Sequence, residues 1–231
     1  MIELFPEGFE ELEHDGDVEL AAYARGGDEE RFWQVFGPGP AVPIPSGWED
    51  AWKRFHRPIR IGALWVGPPW EEPDADAVAV VIDPGRAFGT GAHATTRLCL
   101  ELLLEQPPAS LLDVGCGSGV LAIAGAKLGF APVTALDTDP DAVVATNTNA
   151  ASNAVELTVA QVDAAVDELP EADVAVANVT AAAVAGIAPR LRARTLIASG
   201  YLAPEAPRPP GWNRVERRSS GGWVADVFAA A

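Results

Sequence analysis

Sulfur is scarce in this 231-residue chain: it has one methionine and two cysteines, Cys99 and Cys116. Neither cysteine has a partner at a metal-ligand or disulfide spacing, which excludes a zinc ribbon or a disulfide scaffold and points to a reducing, cytoplasmic setting. No apolar run reaches the ~18 residues of a membrane span, and no basic-then-apolar leader opens the chain, so no membrane partner is expected. Basic residues are few: 16 Lys and Arg against 33 Asp and Glu give a formal net charge of −17. That balance speaks against a broad phosphate-binding face, so no direct nucleic-acid partner is expected. It favours encounter with a basic partner, or serves solubility alone. Internal repeats are missing, and only the alanine-rich tail is of low complexity. A chain of this size buries roughly 70–75% of its unfolded surface and needs no covalent or metal staple. It fits one large domain or a core with a small appendage, as a monomer or weak oligomer.

What is present is a regular alternation. Residues Glu3 to Tyr23 hold short candidate strands about a turn at His14-Asp-Gly-Asp17, and Asp28 to Phe36 reads as an amphipathic helix. A proline-glycine linker over 37–45 closes this small α+β appendage, residues 1–45. From residue 46 to 231 one larger domain follows, opening on a helix at 46–56 with Ser46 as its N-cap. Strands are expected at Ile59–Val66 and Ala77–Ile82, and a helix at Thr95–Leu104 with Thr95 and Thr96 as candidate caps. Trp48, Trp52, Trp65 and Trp70 suit packing between linker and core. Then come strand 111–114, helix 119–128, strand 133–137, helix 140–150, strands 157–162 and 173–177, helix 181–191 and strand 195–199. This pattern predicts an α/β, Rossmann-like, mostly parallel sheet with helices on both faces. Val215–Arg218 and Trp223–Phe228, around Ser219-Ser-Gly-Gly222, predict an antiparallel C-terminal hairpin at its edge.

The stretch Leu111-Leu-Asp-Val-Gly-Cys-Gly-Ser-Gly119 carries the most chemistry. A strand opens into a loop with glycine at 115, 117 and 119, and a helix starts at once. Glycine lets backbone N–H groups approach a ligand closely, and a helix N-terminus favours a negative group. Asp137 ends the next strand 20 residues after Gly117, where doubly wound nucleotide-binding folds place a carboxylate on ribose hydroxyls. Dinucleotide sites prefer G-x-G-x-x-G. Here the third glycine comes one residue early and Asp113 stands just ahead of the first, a form that resembles S-adenosylmethionine-dependent methyltransferases. Asp139 reads instead as the N-cap before Pro140. Asn178 ends strand 173–177 and either caps the helix at 181 or offers its amide to a ligand. His93 either orients its loop or touches a cofactor carboxylate.

A more specific resemblance rests on an ordered series of segments. Asp83-Pro-Gly-Arg-Ala-Phe-Gly-Thr-Gly-Ala-His-Ala-Thr-Thr96 resembles the signature loop of the bacterial methyltransferases that modify ribosomal protein L11. Asp113-Val-Gly-Cys-Gly-Ser-Gly119, Asp137-Thr-Asp-Pro140 and Asn178-Val179 follow in that family's order, and Trp48 to Phe55 and Trp70-Glu-Glu-Pro73 are similar to its upstream region. The resemblance covers about residues 46–200. It implies a class I methyltransferase fold that binds S-adenosyl-L-methionine above the strand ends and methylates amino groups of a protein substrate, ribosomal protein L11. It further implies Gly115 at the methionine moiety with Asp113 and Gly117 beside it, Asp137 on the ribose, and Asp163 near the adenine. Thr96, Phe88, Gly89, Thr90, Gly91 and His93 close over the cofactor, and Asn178, as the catalytic residue, faces the transferred methyl. Three departures stand out. The appendage is shorter than the family's ferredoxin-like substrate-recognition domain, and is half of it or a different module. Ala94 replaces the usual proline, and Thr180 a larger apolar residue. Another protein lysine, a small amine, a non-catalytic cofactor-binding protein and, more remotely, a dehydrogenase are the alternatives.

Overall fold

The computed structural model describes residues 9–14, 17–22, 37, 57–83 and 93–231. The chain divides into two units, Met1–Glu49 and Asp50–Ala231. In the first, β1 (Phe9–His14) and β2 (Asp17–Ala22) form an antiparallel hairpin with His14 opposite Asp17, at the turn expected. The helices expected over 28–36 and 46–56, the stretch 38–45, Trp48, Trp52 and the loop residues Phe88, Gly89, Thr90 and Gly91 lie outside the described residues.

The second unit begins with a small sheet of β3 (Ile59–Ile61), β4 (Leu64–Gly67) and β5 (Val78–Val81), with β3 antiparallel and β5 parallel to β4. One strand was expected over Ile59–Val66; Gly62, at φ +54°, turns the chain back and makes two. After α1 (Ala94–Leu103) come β6 (Leu111–Val114), α2 (Val120–Lys127), β7 (Val133–Asp137), α3 (Pro140–Ser152) and β8 (Thr158–Gln161). β9 (Val174–Asn178), α4 (Ala181–Ile187), β10 (Thr195–Leu202), β11 (Trp212–Ser220) and β12 (Trp223–Ala230) complete the unit.

Seven strands form one sheet in the order β11-β12-β10-β9-β6-β7-β8. β8, β7, β6, β9 and β10 run parallel, and β12 and β11 return antiparallel at one edge. All four residues of β6 are buried, as expected of a strand covered on both faces. Its side chains alternate between two cores. Leu111 packs with Leu103 and Ile123 of α1 and α2 and with Leu64 and Val80 of the small sheet. Leu112 packs with Val184 and Ile187 of α4 and with Leu196 and Phe228. The strand order reverses between β6 and β9, the place where open α/β sheets leave a crevice beyond their carboxyl ends.

Most boundaries differ from expectation by a residue or two, and three shift further. The helix expected over 181–191 ends at Ile187 and tightens to a 3-10 turn at Ala188–Arg190, because Pro189 has no N–H to continue the ladder. β10 runs on to Leu202 through a bulge between Ser199 and Tyr201, where Gly200 sits at φ +101°. A Cβ at 200 would strike the Val179 carbonyl, so this glycine lets β10 press against the end of β9. β11 starts at Trp212 and meets β12 through a two-residue Gly221-Gly222 loop, with φ +57° and +85°, as a tight hairpin turn needs.

Candidate active site

Beyond Val114 the chain enters the glycine loop, with φ +76° at Gly115, +55° at Gly117 and +82° at Gly119. Only glycine takes all three without strain. The N–H groups of Gly115 and Cys116 both donate to the Leu136 carbonyl, at 2.8 and 3.0 Å, which locks the loop to the end of β7. Asp137 completes the lock. Its Oδ2 accepts the Gly117 N–H at 2.9 Å and its Oδ1 the Asp139 N–H at 3.0 Å. Asp139 in turn caps α3 by accepting the Asp141 N–H at 2.9 Å, with Pro140 at the first helical position.

Asp113 takes a different direction. Its side chain is fully buried and does not line the crevice, contrary to its expected place among the cofactor contacts. Oδ2 accepts the N–H of Ala122 at 3.1 Å, so Asp113 supplies, from the strand, the side-chain cap that Gly119 cannot give α2. Oδ1 is buried without a hydrogen-bond partner. Burial pushes this carboxyl up to about 7; the Ala122 N–H opposes that, and the Asp137 charge adds to it. Between the ordinary carboxylate range and about 7, the folded chain holds a proton that the unfolded chain has released. Stability therefore falls as pH rises through that window, by ~1.4 kcal/mol per pH unit. Asp113→Asn keeps the acceptor for Ala122 and removes this linkage. Urea denaturation at pH 5 and pH 7 is expected to show wild type losing ~2–3 kcal/mol more than the variant across the interval; parallel losses would contradict it.

Asn178, the last residue of β9, reaches α1. Its Nδ2 donates to Oγ1 of the buried Thr96 at 3.2 Å, while its Oδ1 is buried with no hydrogen-bond partner. The alternative role, capping the next helix, belongs to Thr180, whose hydroxyl accepts the Ala183 N–H at 3.3 Å. His93 caps α1, accepting the Thr95 N–H, and its ring meets Trp223 edge-on with centroids 5.0 Å apart. The threonines expected as caps lie inside the helix, because it begins one residue earlier, at Ala94.

These elements surround a cavity of about 460 Å³ at the reversal of strand order. Thr96, Gly115, Gly117, Asp137, Asp163 and Asn178 line it together; Asp113 and His93 are not among its described lining residues. Asp163 stands after β8, its Oδ1 engaged by the Ala165 N–H at 2.9 Å. Sequence reasoning missed the wall that α4 contributes through Ala182, Ala183, Gly186 and Ile187. The signal was there: small residues three and four apart share one helix face. A Cβ at Gly186 would meet nothing within 4 Å. Gly186→Ala is therefore expected to stabilise the fold by ~0.5–1 kcal/mol, read as a higher thermal midpoint, and a fall would contradict the open space seen there. Cys116 also lines the cavity, but burial, with Asp113 adding to it, pushes its thiol up to about 12, so it stays protonated and is no nucleophile at neutral pH. Among the described residues no helix is long and apolar enough to cross a membrane, and no His, Cys, Asp and Glu group is set to hold a metal ion.

Comparison with known proteins agrees with this geometry. The model of the ribosomal protein L11 methyltransferase (PrmA) family matches residues 45–208. The ribosomal protein L11 methyltransferase of Methylococcus capsulatus is 41% identical over 210 residues, 84% of this chain and 69% of that protein. That of Symbiobacterium thermophilum is 42% identical over 196 residues, 77% of this chain and 64% of the relative, and that of Vibrio cholerae 46% over 152 residues, 63% and 51%. The chain thus spans about half to two thirds of the length of most curated relatives it matches. A solved structure, the ribosomal protein L11 methylase of Lactobacillus delbrueckii subsp. bulgaricus, superposes with a TM-score of 0.66 at 26% identity, covering 76% of this chain and 99% of that one. The fold is that of class I methyltransferases.

Proposed function

Since the chain belongs to the ribosomal protein L11 methyltransferase family, we propose that it transfers methyl groups from S-adenosylmethionine to amino groups of a protein, lysine side chains or an N-terminus, with ribosomal protein L11 as acceptor. One observation supports this most: Asn178 offers a buried carbonyl oxygen, without a partner, in the cavity that the glycine loop and Asp137 also line.

The residues present fit the cofactor in size and chemistry. A cavity of about 460 Å³ lies within the ~300–1,000 Å³ of small-molecule sites. A Cβ at Gly115 would stand 2.5 Å from Val179 Cγ1, so glycine lets the Val179 side chain of the cavity wall pack directly against the loop. Gly115 and Gly117 would hold the amino-acid end near the start of α2, and Asp137 would accept from the ribose hydroxyls. Asp163, beside Val162 and Ile187, would meet the adenine. When bound, S-adenosylmethionine supplies a methyl group on a positively charged sulfur.

The chain's own contribution is positioning and a dry wall. A lysine amine with an ordinary pKa near 10.4 is neutral in only about one molecule in 2500 at pH 7, a cost of ~4.6 kcal/mol. Val114, Leu136 and Val179 line the cavity with apolar surface that disfavours the ammonium form. Asn178 Oδ1 then accepts one N–H of the neutral amine and turns its lone pair, while Thr96 holds the amide from the other side. The formal charge of −17 favours approach of a basic protein. We propose the cytoplasm as the place of action, which suits two free, buried cysteines.

Tritium transfer from labelled S-adenosylmethionine tests the reading, with purified ribosomal protein L11, whole-cell protein and small amines as acceptors. Label in ribosomal protein L11 is expected. Label only in another protein, or only in small amines, reassigns the acceptor; binding without any transfer makes the chain a non-catalytic cofactor protein. Affinity for a nicotinamide dinucleotide in place of S-adenosylmethionine would revive the dehydrogenase reading.

A further inference from the structure

α3 carries buried polar side chains at Thr146, Asn149 and its C-cap Asn153, exposed by only 0%, 3% and 6%. Their spacing of three and four puts them on one face. A helix face that merely packed against a core would be apolar. This one meets loop and edge-strand backbone whose polar groups must find partners. Thr146 Oγ1 donates to the Gly117 carbonyl at 3.0 Å, and Asn149 Nδ2 to the Ser118 carbonyl at 2.9 Å. Two consecutive carbonyls of the glycine loop are thus held by one helix, which fixes the planes of both peptides. Asn149 Oδ1 accepts the Asp83 N–H at 3.0 Å, so its amide joins segments 31 and 66 residues away. Asn153 does parallel work on β5: it accepts from the Val81 N–H at 2.9 Å and donates to the Val81 carbonyl at 2.6 Å, and its Nδ2 also donates to the Asn149 carbonyl within the helix at 2.8 Å.

We propose that Asn149 is a positioning residue for the cofactor: by pinning the Ser118 carbonyl it sets the loop backbone on which the ligand rests, and it ties that loop to the chain leaving β5. This inference rests on the reading of the cavity as the S-adenosylmethionine site. Asn149 touches no reacting atom and acts through the loop.

Three variants separate positioning from plain stability. Asn149→Asp keeps the size and the acceptor for Asp83 but sets an acceptor against the Ser118 carbonyl. Thr146→Val removes the hydroxyl from the Gly117 carbonyl at equal volume. Asn153→Asp breaks the same kind of bond, to the Val81 carbonyl and to the Asn149 backbone carbonyl, and leaves both side-chain bonds to the loop in place. Titration calorimetry with S-adenosylmethionine, steady-state kinetics and thermal midpoints are compared for all three. Asn149→Asp is expected to raise Kd and KM for the cofactor at least about tenfold, with kcat within about threefold of wild type. Thr146→Val raises Kd in the same direction, and stands as the test if Asn149→Asp does not fold. Asn153→Asp lowers the thermal midpoint and leaves Kd within about twofold. If Asn153→Asp weakens binding as much as Asn149→Asp, or if Asn149→Asp and Thr146→Val bind like wild type, the proposal falls. A wild-type chain that binds no S-adenosylmethionine overturns the reading of the cavity itself, and this inference with it.

Discussion

Replacing Asp137 by alanine is expected to weaken S-adenosylmethionine binding by at least tenfold while the fold survives. Each carboxylate oxygen of Asp137 already accepts one backbone N–H, from Gly117 and from Asp139. Those bonds aim the group, and each oxygen retains acceptor capacity for a ribose hydroxyl. Two charge-assisted hydrogen bonds contribute ~1.5–3 kcal/mol each, so tenfold is the floor and a hundredfold or more is within reach. Some of the loss comes through the loop, because alanine leaves the Gly117 N–H without its acceptor. Asp137→Asn distinguishes the two routes. It preserves one acceptor oxygen and the volume, so its fold should resemble wild type more closely while the charge is lost. Calorimetry on both variants is the measurement; an alanine variant with unchanged affinity would remove Asp137 from the site.

Asn178→Ala is expected to act on the other kinetic constant. Misplaced polar groups at a reacting centre typically cost ~10²–10³ in kcat, and the same range is expected here. The cofactor Kd should stay within about threefold, because Asn178 is assigned to the incoming amine and not to the ligand that the glycine loop holds. Deleting the amide also frees Thr96 Oγ1, so a Thr96→Val variant, which loosens Asn178 without removing it, should show a smaller fall in kcat. Single-turnover transfer to the protein acceptor measures the chemical step free of product release. Equal turnover of wild type and Asn178→Ala would strip Asn178 of any part in the reaction.

Those assignments drew on the sequence to very different degrees. The glycine loop was legible because residues at φ +76°, +55° and +82° need the one side chain that tolerates them, so backbone geometry writes itself into residue identity. Asp137 was legible because a strand–loop–helix–strand unit places the end of its second strand at a nearly constant distance along the chain. Caps were not. Thr95 and Thr96 were as suitable on paper as His93, and Asn178 as suitable as Thr180; a shift of one or two residues in where the helix begins decides between them. The direction of Asp113 was equally hidden, since a carboxylate one residue before the loop can face the ligand or the helix behind it.

Among the described residues most chain-local features, the turn at Gly62 excepted, were settled by the amino-acid order alone: most strands and helices, the glycine loop, and the family whose motif series it resembles. Each depends on residues within a turn or two of one another, where propensity and steric exclusion act directly. Folding in three dimensions decided the rest. Asn178 and Thr96 meet across 82 residues and Asn149 and Asp83 across 66, while the small face of α4 becomes a cavity wall only when β9 is laid beside β6. Such pairings come from burying two apolar faces of one sheet, a sum over the whole core in which no single residue carries the outcome.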